Sequence, residues 1–574
     1  MKIKNITVLI IVLLLAVIAL ESYLQTKYGP ITVEEEEQPF FKYAYEDINK
    51  KLYKKVFKNE KYMYVSQRQY YENYAEFSAK KDNDVIRLFI IGGSVAHGWE
   101  DPMSIPSDFI TGKKLEIINV GMPGYDSYRV KLIARELLQY EPDLIVVLSG
   151  NNEYFPKQGF NPIAYSLNKF LTRFYFYNDL QKKIFRSRFK DRNPFERNLG
   201  KDLERYENNI RDIVRNIQKK GVSVILCTLP INMKGSISAR PVPVNKQILL
   251  GKLLIEDKKF YEAIEVLRDF IKKTDDNLYG YYYLAKAYEQ IEDYKSAKEN
   301  YLFSVEAAAD DFATPSKNMK IRNISKEEKV ALIDLESIFI NFAKQNITDR
   351  EIFADHCHLW DEYYRLFDNA LLKEIFKKDS KYLNKTDLEK NKSKQQYFSD
   401  QFKPPSLKEF GKIQENVNRI IGYAGFYSIE NNNISERALY SFETLYLMDP
   451  GLLSNMRFLK ENIRELLEQN QYISEDASDK KIFDSKWKQI LYHIGETYRR
   501  MNMLEEALDY FNKAIALNDT YYLPYLGRTL VYYSLENKEE MLININKALS
   551  CSENNSMEIQ YYKEILDELL THFN

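Results

Sequence analysis

The chain has 574 residues, more than one ordinary core holds, because single domains mostly run to ~100 to 200 residues; two or three domains are expected. With 82 basic and 83 acidic residues and a formal net charge of -1, it has no overall field to gather polyanions, which argues against a nucleic-acid partner. Cys227, Cys357 and Cys551 are odd in number and far apart in sequence, so they make neither a disulfide framework nor a CxxC metal pair.

Lys2 and Lys4 precede "ITVLIIVLLLAVIAL", fifteen uncharged and almost wholly apolar residues from Ile6 to Leu20. This is a secretory-type segment, and Ser22, Tyr23 and Leu24 can extend it toward the ~20 residues that cross the hydrocarbon core. No clear small-x-small cleavage site follows it. An uncleaved signal anchor is therefore expected, a transmembrane helix with its N-terminus inside and all later residues outside the cytoplasmic membrane. Residues 25–83, polar and rich in Lys and Tyr, read as a membrane-proximal spacer, in which Glu34 to Glu37 are a solvated run.

From Val85 the texture changes. "VIRLFIIGGS", "KLEIINVGMPGY", "DLIVVLSGNNEY" and "VSVILCTLP" are apolar β-type runs ending in Gly, Asn or Pro, and "VALIDLESIF" is a weaker fifth. Helical patterns such as "SYRVKLIARELLQY" and "DLERYENNIRDIVRNIQKK" separate them. Unalternated runs buried on both faces predict a parallel sheet in an α/β sandwich, with functional loops at the carboxyl ends of the strands.

Two regions repeat at a different period. Gly251 and Ala285, Leu254 and Tyr288, Ala263 and Ala297, and Leu267 and Tyr301 are matched pairs, each 34 apart. Near the C-terminus Gly495, Tyr498, Ala507, Phe511 and Ala514 fall on small and aromatic positions, and Tyr532 and Ala548 follow Tyr498 and Ala514 by 34. "ERALYSFETLYLMDP" is a partial further unit. This period resembles tetratricopeptide repeats, in which small residues let paired helices approach and aromatics fill the gap between them. The expected order is an anchor (1–24), the spacer (25–83), a first α/β part (84–245), inserted repeat-like helices (246–310), a second α/β part (311–378) and a C-terminal repeat-like helical domain (379–574).

Ser94 follows a β-run directly, at a strand-to-helix turn where a nucleophile's backbone amide can face the atom its hydroxyl attacks. Alone, Gly-Gly-Ser is also an ordinary turn. Four blocks in order, "FIIGGSVAHG", "INVGMPGYDS", "LSGNNEY" and "DHCH", resemble the SGNH hydrolase superfamily, also called GDSL esterases and lipases, over residues ~84–240 and ~312–375. The resemblance implies a three-layer, flavodoxin-like parallel sheet and a catalytic set of Ser94, Asp355 and His358. It also implies an oxyanion hole made by the amides of Ser94 and Gly124 and the side chain of Asn152, with no cofactor and no metal. Gly93 replaces the family's usual Asp before the serine, and Glu153 stands where Asp is common. Asn232, in "TLPINMKGS", is a candidate substrate hydrogen bonder, Glu153 a loop or helix N-terminal carboxylate, and His97 a packing or solvent-facing residue.

The implied activity is an extracytoplasmic serine esterase acting on O-acyl, most plausibly O-acetyl, groups of an envelope or secreted polysaccharide. Transfer to a sugar would use the same triad, making an O-acetyltransferase the alternative within that class. A scaffold is the alternative from another class, in which repeats bind a protein partner beside an inert α/β domain. In "DHCH", a metal reading needs converging ligands, and His356 and His358 two apart on a helix point to different faces. Asp355 and His358 are therefore expected to form the dyad, with His356 and Cys357 as spacers.

Overall fold

The computed structural model describes residues 21, 23, 51–67, 76–99, 113–153, 199–237, 242–274, 277–308, 312–377, 405–430, 435–469, 477–551 and 556–571. They fall almost wholly in one unit, Lys51–Tyr154 with Leu203–Asn574; of the other, Met1–Lys50 with Phe155–Asp202, only Glu21, Tyr23 and the first turn of one helix are described. The apolar segment 6–20 lies outside the described residues, among which no helix is long and apolar enough to cross a membrane.

In chain order the first elements are β1 (Tyr53–Lys58), β2 (Lys61–Ser66), β3 (Phe77–Ser78), β4 (Val85–Gly92), α1 (Ser94–His97), β5 (Lys114–Asn119), α2 (Ser127–Leu137), β6 (Leu144–Leu148), α3 (Leu199–Gln218) and β7 (Ser223–Cys227). Helices α4 (Lys246–Glu256), α5 (Phe260–Lys273), α6 (Leu278–Gln290), α7 (Tyr294–Ala308) and α8 (Pro315–Glu327) separate β7 from β8 (Ala331–Ile333). Then come α9 (Leu335–Phe342), α10 (Arg365–Ile375), α11 (Leu407–Phe410), α12 (Gln414–Glu430), α13 (Glu436–Met448), α14 (Pro450–Ser454) and α15 (Met456–Gln469). The last are α16 (Ala477–Arg500), α17 (Leu504–Leu517), α18 (Tyr522–Ser534), α19 (Lys538–Cys551) and α20 (Ser556–Thr571).

All five apolar runs are strands of one parallel sheet in the order β5-β4-β6-β7-β8. That is the 2-1-3-4-5 order of the flavodoxin-like class, with its switch point beside β4. The sheet is apolar on both faces because the chain covers both. Leu88, Ile90, Val146 and Leu148 point into one core, Phe89, Ile91, Ile145 and Val147 into the other, which α2 and α3 complete with Val130, Ile133, Ile210 and Ile213. The alternation gives a three-layer sandwich and puts the β4 and β6 carboxyl ends side by side, Gly92 opposite Leu148.

The stretch read as a spacer departs from that reading. Within 25–83, β1, β2 and β3 form an antiparallel sheet whose Tyr53 and Phe77 are buried against Phe89 and Tyr140. Arg87, buried to 1 % exposure in β4, fastens it: its guanidinium donates to Glu116 Oε2 (2.6 Å), Tyr140 O (2.7 Å) and Ser78 O (2.8 Å) and lies 4.9 Å from the Phe77 ring. A buried cation is tolerated because its donors are placed on acceptors.

The helical regions show why small residues recur. A Cβ at Gly251 would meet the Leu267 side chain at 2.6 Å, and those at Gly495 and Gly527 would meet the Phe511 ring at 2.8 and 2.4 Å. Helices α4 and α6 are tied to the C-terminal helices α13 and α16 by an ion pair and a hydrogen bond. Arg500 donates twice to Glu436 (2.7 and 2.9 Å), which also accepts from Tyr283 OH (3.0 Å), and Arg499 reaches Glu256 (3.0 Å) and Glu496 (2.7 Å). Burial would raise the Glu436 pKa, but the Arg500 charge outweighs it and holds the carboxyl far below the usual range.

Candidate active site

Gly92 and Gly93 close β4, and Ser94 opens the single turn α1, with His97 N–H donating to Gly93 O (3.0 Å) and Gly98 N–H to Ser94 O (2.8 Å). Neither glycine has room for a side chain. A Cβ on Gly92 would lie 1.8 Å from Leu148 O, and one on Gly93 2.5 Å from Asn152 Nδ2 and 3.2 Å from Tyr125 O. The missing Asp at position 93 thus has a physical counterpart: the Asn152 amide lies against that spot.

Met122-Pro123-Gly124-Tyr125 is a turn closed by Tyr125 N–H on Met122 O (3.2 Å), with Gly124 at φ +71°. Pro second and a left-handed glycine third are what a type II turn requires. Asn152, 7 % exposed after β6, donates from Nδ2 to Tyr125 O (3.1 Å), which ties the second block to the third. Buried Glu153 reinforces the tie by accepting from Ser127 N–H (2.8 Å) and Oγ–H (2.7 Å) at the start of α2. It is a loop carboxylate that accepts at the N-terminus of a neighbouring helix, where the sequence left a loop and a helix N-terminal role both open. Burial, with Asp126 adding to it, pushes its pKa up to about 7 against the opposing pull of Ser127 and Lys317.

The "DHCH" segment is not helical, which corrects the sequence reading. Phe353 and Leu359 form an antiparallel bridge, Ala354 N–H donates to His358 O (2.8 Å), and residues 355–358 are the tip of that loop. Asp355 organises it: Oδ1 accepts from the backbone N–H of Cys357 (2.7 Å) and His358 (2.6 Å), and Oδ2 takes His358 Nδ1 at 2.6 Å. The carboxylate therefore places the proton on Nδ1 and makes Nε2 the accepting nitrogen of the neutral ring. Burial would raise the Asp355 pKa, but His358 and His356 outweigh it and depress it far below the carboxylate range.

The Ser94 turn and the His358 loop are drawn together by the residues that follow each. Trp99 Nε1–H donates to Asp368 Oδ1 in α10 (2.8 Å), and a Cβ at Gly98 would lie 2.6 Å from Tyr364 Oη and 3.5 Å from Ser94 O. Asn119, at the end of β5, donates to Ala96 O (2.7 Å) and Trp99 O (2.8 Å) and so holds α1 from below. Ser94, Gly124 and His358 are half-buried, while Asn152 and Asp355 are buried. The groups that would react face outward, and the groups that would orient them are enclosed.

Three residues differ from expectation. Asn232, read as a substrate contact, is 1 % exposed and committed to the protein: Nδ2 donates to Asp355 O (2.6 Å) and Tyr440 OH (3.3 Å), and Oδ1 accepts from Gly235 N–H (2.9 Å). His356, read as a spacer, is a buried strut whose Nδ1 pairs with Tyr427 OH (3.0 Å) and whose carbonyl accepts from Ser236 Oγ (2.9 Å). Cys357 Sγ lies 3.4 Å from His356 Nε2 and 3.6 Å from His358 Nδ1. The donor atoms of Asp355, Cys357 and His358 all fall within 4.8 Å of one another, a convergence that a helix would have prevented.

Tyr427 and Tyr440 belong to α12 and α13, so the C-terminal helices brace the loop directly. Arg437 donates to Ile237 O (2.6 Å), and the rings of Trp360 and Phe410 stack at 4.6 Å. Beyond them α16 and α17 form a helical pair joined by a short turn, with Phe511 packed over Gly495. Residues 489–521 match the family model of the tetratricopeptide repeat. That match includes Tyr498 and Ala514, the two positions that recur 34 residues later at Tyr532 and Ala548.

No curated protein matches the sequence. Among solved structures the chain is similar to a GDSL-like lipase from Bacteroides thetaiotaomicron, at 13% identity over 52% of this chain and 91% of that one, with a TM-score of 0.27. It is also similar to an acetyl xylan esterase (13%, 50% and 98%, TM-score 0.26) and to a variant of an acetyl-xylooligosaccharide esterase from Geobacillus (12%, 52% and 96%, TM-score 0.27).

Proposed function

We propose that the chain is a serine esterase of the SGNH type that cleaves O-acyl esters, with acetyl the favoured acyl group. The observation that carries the reading is the 2.6 Å bond from Asp355 Oδ2 to His358 Nδ1, on a loop tied through Tyr364 and Asp368 to the turn that bears Ser94. Ser94 Oγ attacks the ester carbonyl as His358 Nε2 takes its proton, and Asp355 stabilises the imidazolium that forms. The backbone amides of Ser94 and Gly124 and the Asn152 side chain donate to the oxyanion. His358 then returns the proton to the leaving alcohol, and water, activated by the same imidazole, releases the acyl group from Ser94. None of these steps calls for a metal or cofactor.

The location and substrate belong to the same proposal. Lys2 and Lys4 ahead of fifteen uncharged, almost wholly apolar residues support a single-pass anchor with the site outside the cytoplasmic membrane, where an O-acetylated polysaccharide is the natural ester substrate. A protein partner on the repeats is also a proposal, and their inner charged residues Glu436, Glu496, Arg499 and Arg500 already serve contacts within the chain. Turnover of p-nitrophenyl acetate by the chain lacking residues 1–25 tests the reading: wild type is active and Ser94→Ala is not. Equal turnover by the two would remove it.

A further inference from the structure

The Asp355–His358 loop holds more than a dyad. Asp355, Cys357 and His358 offer a carboxylate oxygen, a thiol sulfur and an imidazole nitrogen from four consecutive residues, all within 4.8 Å. Asp355 and Cys357 are buried, while the His358 side chain is 28 % exposed, so solvent reaches one edge of the cluster. For tetrahedral zinc, bonds of about 2.3 Å to sulfur and 2.0 Å to nitrogen place those two ligands about 3.5 Å apart. Cys357 Sγ and His358 Nδ1 are 3.6 Å apart. His356 Nε2, 3.4 Å from the same sulfur and held at its other nitrogen by Tyr427, flanks the cluster as an outer partner.

We propose that this loop is an inhibitory metal site, at which Zn2+ or a similar borderline divalent cation binds Asp355 Oδ2, Cys357 Sγ and His358 Nδ1 and switches the esterase off. Mixed sulfur, nitrogen and carboxylate donors select such a cation over Mg2+ or Ca2+. Oδ1 holds the backbone amides of residues 357 and 358, and Oδ2, now 2.6 Å from Nδ1, turns away from it to admit the ion. The proton balance gives the mechanism. The thiol proton leaves to solvent, and the metal takes the place of the proton on Nδ1. The neutral ring then carries its proton on Nε2. An Nε2–H cannot accept the Ser94 proton, so the general base is lost while the loop stays folded.

The effect on turnover rests on the esterase reading; the binding does not, and the two are separated by using Co2+ as a spectroscopic probe with the full chain. A thiolate-to-cobalt charge-transfer band is expected in wild type and in Ser94→Ala, which has no turnover to lose. Cys551→Ser keeps the band, and Cys357→Ser or Cys357→Ala loses it. Binding falls by about 100-fold or more, since even outer partners of a metal are worth 10- to 100-fold. At Zn2+ about ten times its Kd, wild-type turnover falls about tenfold by mass action. The turnover of Cys357→Ser, measured against its own zinc-free rate, does not respond to Zn2+. A band that survives Cys357→Ser and Cys357→Ala, no band in wild type, or equal Zn2+ inhibition of wild type and Cys357→Ser would each overturn the proposal. A cobalt band with the expected pattern in a protein that never turns over p-nitrophenyl acetate would leave the metal site standing and remove the esterase reading instead.

Discussion

Asn152→Ala is the perturbation whose size the structure constrains best. The Asn152 amide is buried, donates to Tyr125 O at 3.1 Å, and lies against the space above Gly93, one residue from the nucleophile. One preorganised oxyanion donor is worth about 2.7–4 kcal/mol. At about 1.36 kcal/mol per decade, its loss lowers kcat by about 10²- to 10³-fold with little change in KM. The truncation also removes the buried hydrogen bond to Tyr125 O, at a cost of about 0.5–1.5 kcal/mol of stability, so the kinetics are measured well below a separately determined Tm. Gly93→Ala is the companion. It keeps the amide but sets a methyl 2.5 Å from its nitrogen, and a misplacement of about 1 Å can itself cost about 10²-fold. The assay is steady-state hydrolysis of p-nitrophenyl acetate. A folded Asn152→Ala enzyme with kcat within about threefold of wild type would refute the oxyanion assignment, because no such donor is worth so little.

Other consequences are open to test. Asn232→Ala, by freeing the Asp355 carbonyl, should lower kcat without raising KM, and Tyr440→Phe should do so more mildly; an unchanged kcat in both would show that the clamp does not position the dyad. Glu436→Ala takes away the bidentate partner of Arg500 but leaves it Glu496 (3.2 Å) and Glu443 (3.4 Å), and should cost about 1.5–3 kcal/mol in chemical denaturation. His493, fully buried with its pKa pushed down to about 4 by desolvation, must stay neutral in the fold. Its folded value lies below its unfolded one, so the stability it supports is complete above about pH 6.5 and falls as pH drops toward 4. His493→Gln should flatten that slope in urea melts. For Glu153 the sign is reversed: a folded pKa near 7 against an ordinary 4.5 means stability declines as pH rises through that window, and Glu153→Gln should remove the decline.

Much of the fold was legible because its signals are local. Five apolar runs without alternation, each ending in Gly, Asn or Pro, mark strands buried on both faces, and a 34-residue spacing of small and aromatic residues marks helices that approach closely. The site was legible where chemistry clusters in short stretches, at Gly93-Ser94 and in Asp355 to His358. What was missed depends on partners distant in sequence. Tyr53 and Phe77 look like spacer residues until Arg87 and Tyr140 cover them. The tip at 355–358 looked helical because Asp-x-x-His suits one helical turn, yet the Phe353–Leu359 bridge makes it a loop. Asn232 and Tyr440 stand 208 residues apart, and no spacing rule connects them. Asn119 left a readable trace, a polar side chain at a strand's last position just before a glycine-bearing turn.

The central claim is that Ser94 is a nucleophile whose base is His358, oriented by Asp355. Its most direct test is mass spectrometry of the intact protein after exposure to a fluorophosphonate, followed by peptide mapping. One adduct on Ser94 in wild type, no adduct in Ser94→Ala and strongly slowed labelling in His358→Ala are predicted. Wild type left unmodified, or an adduct carried by any residue other than Ser94, would contradict it.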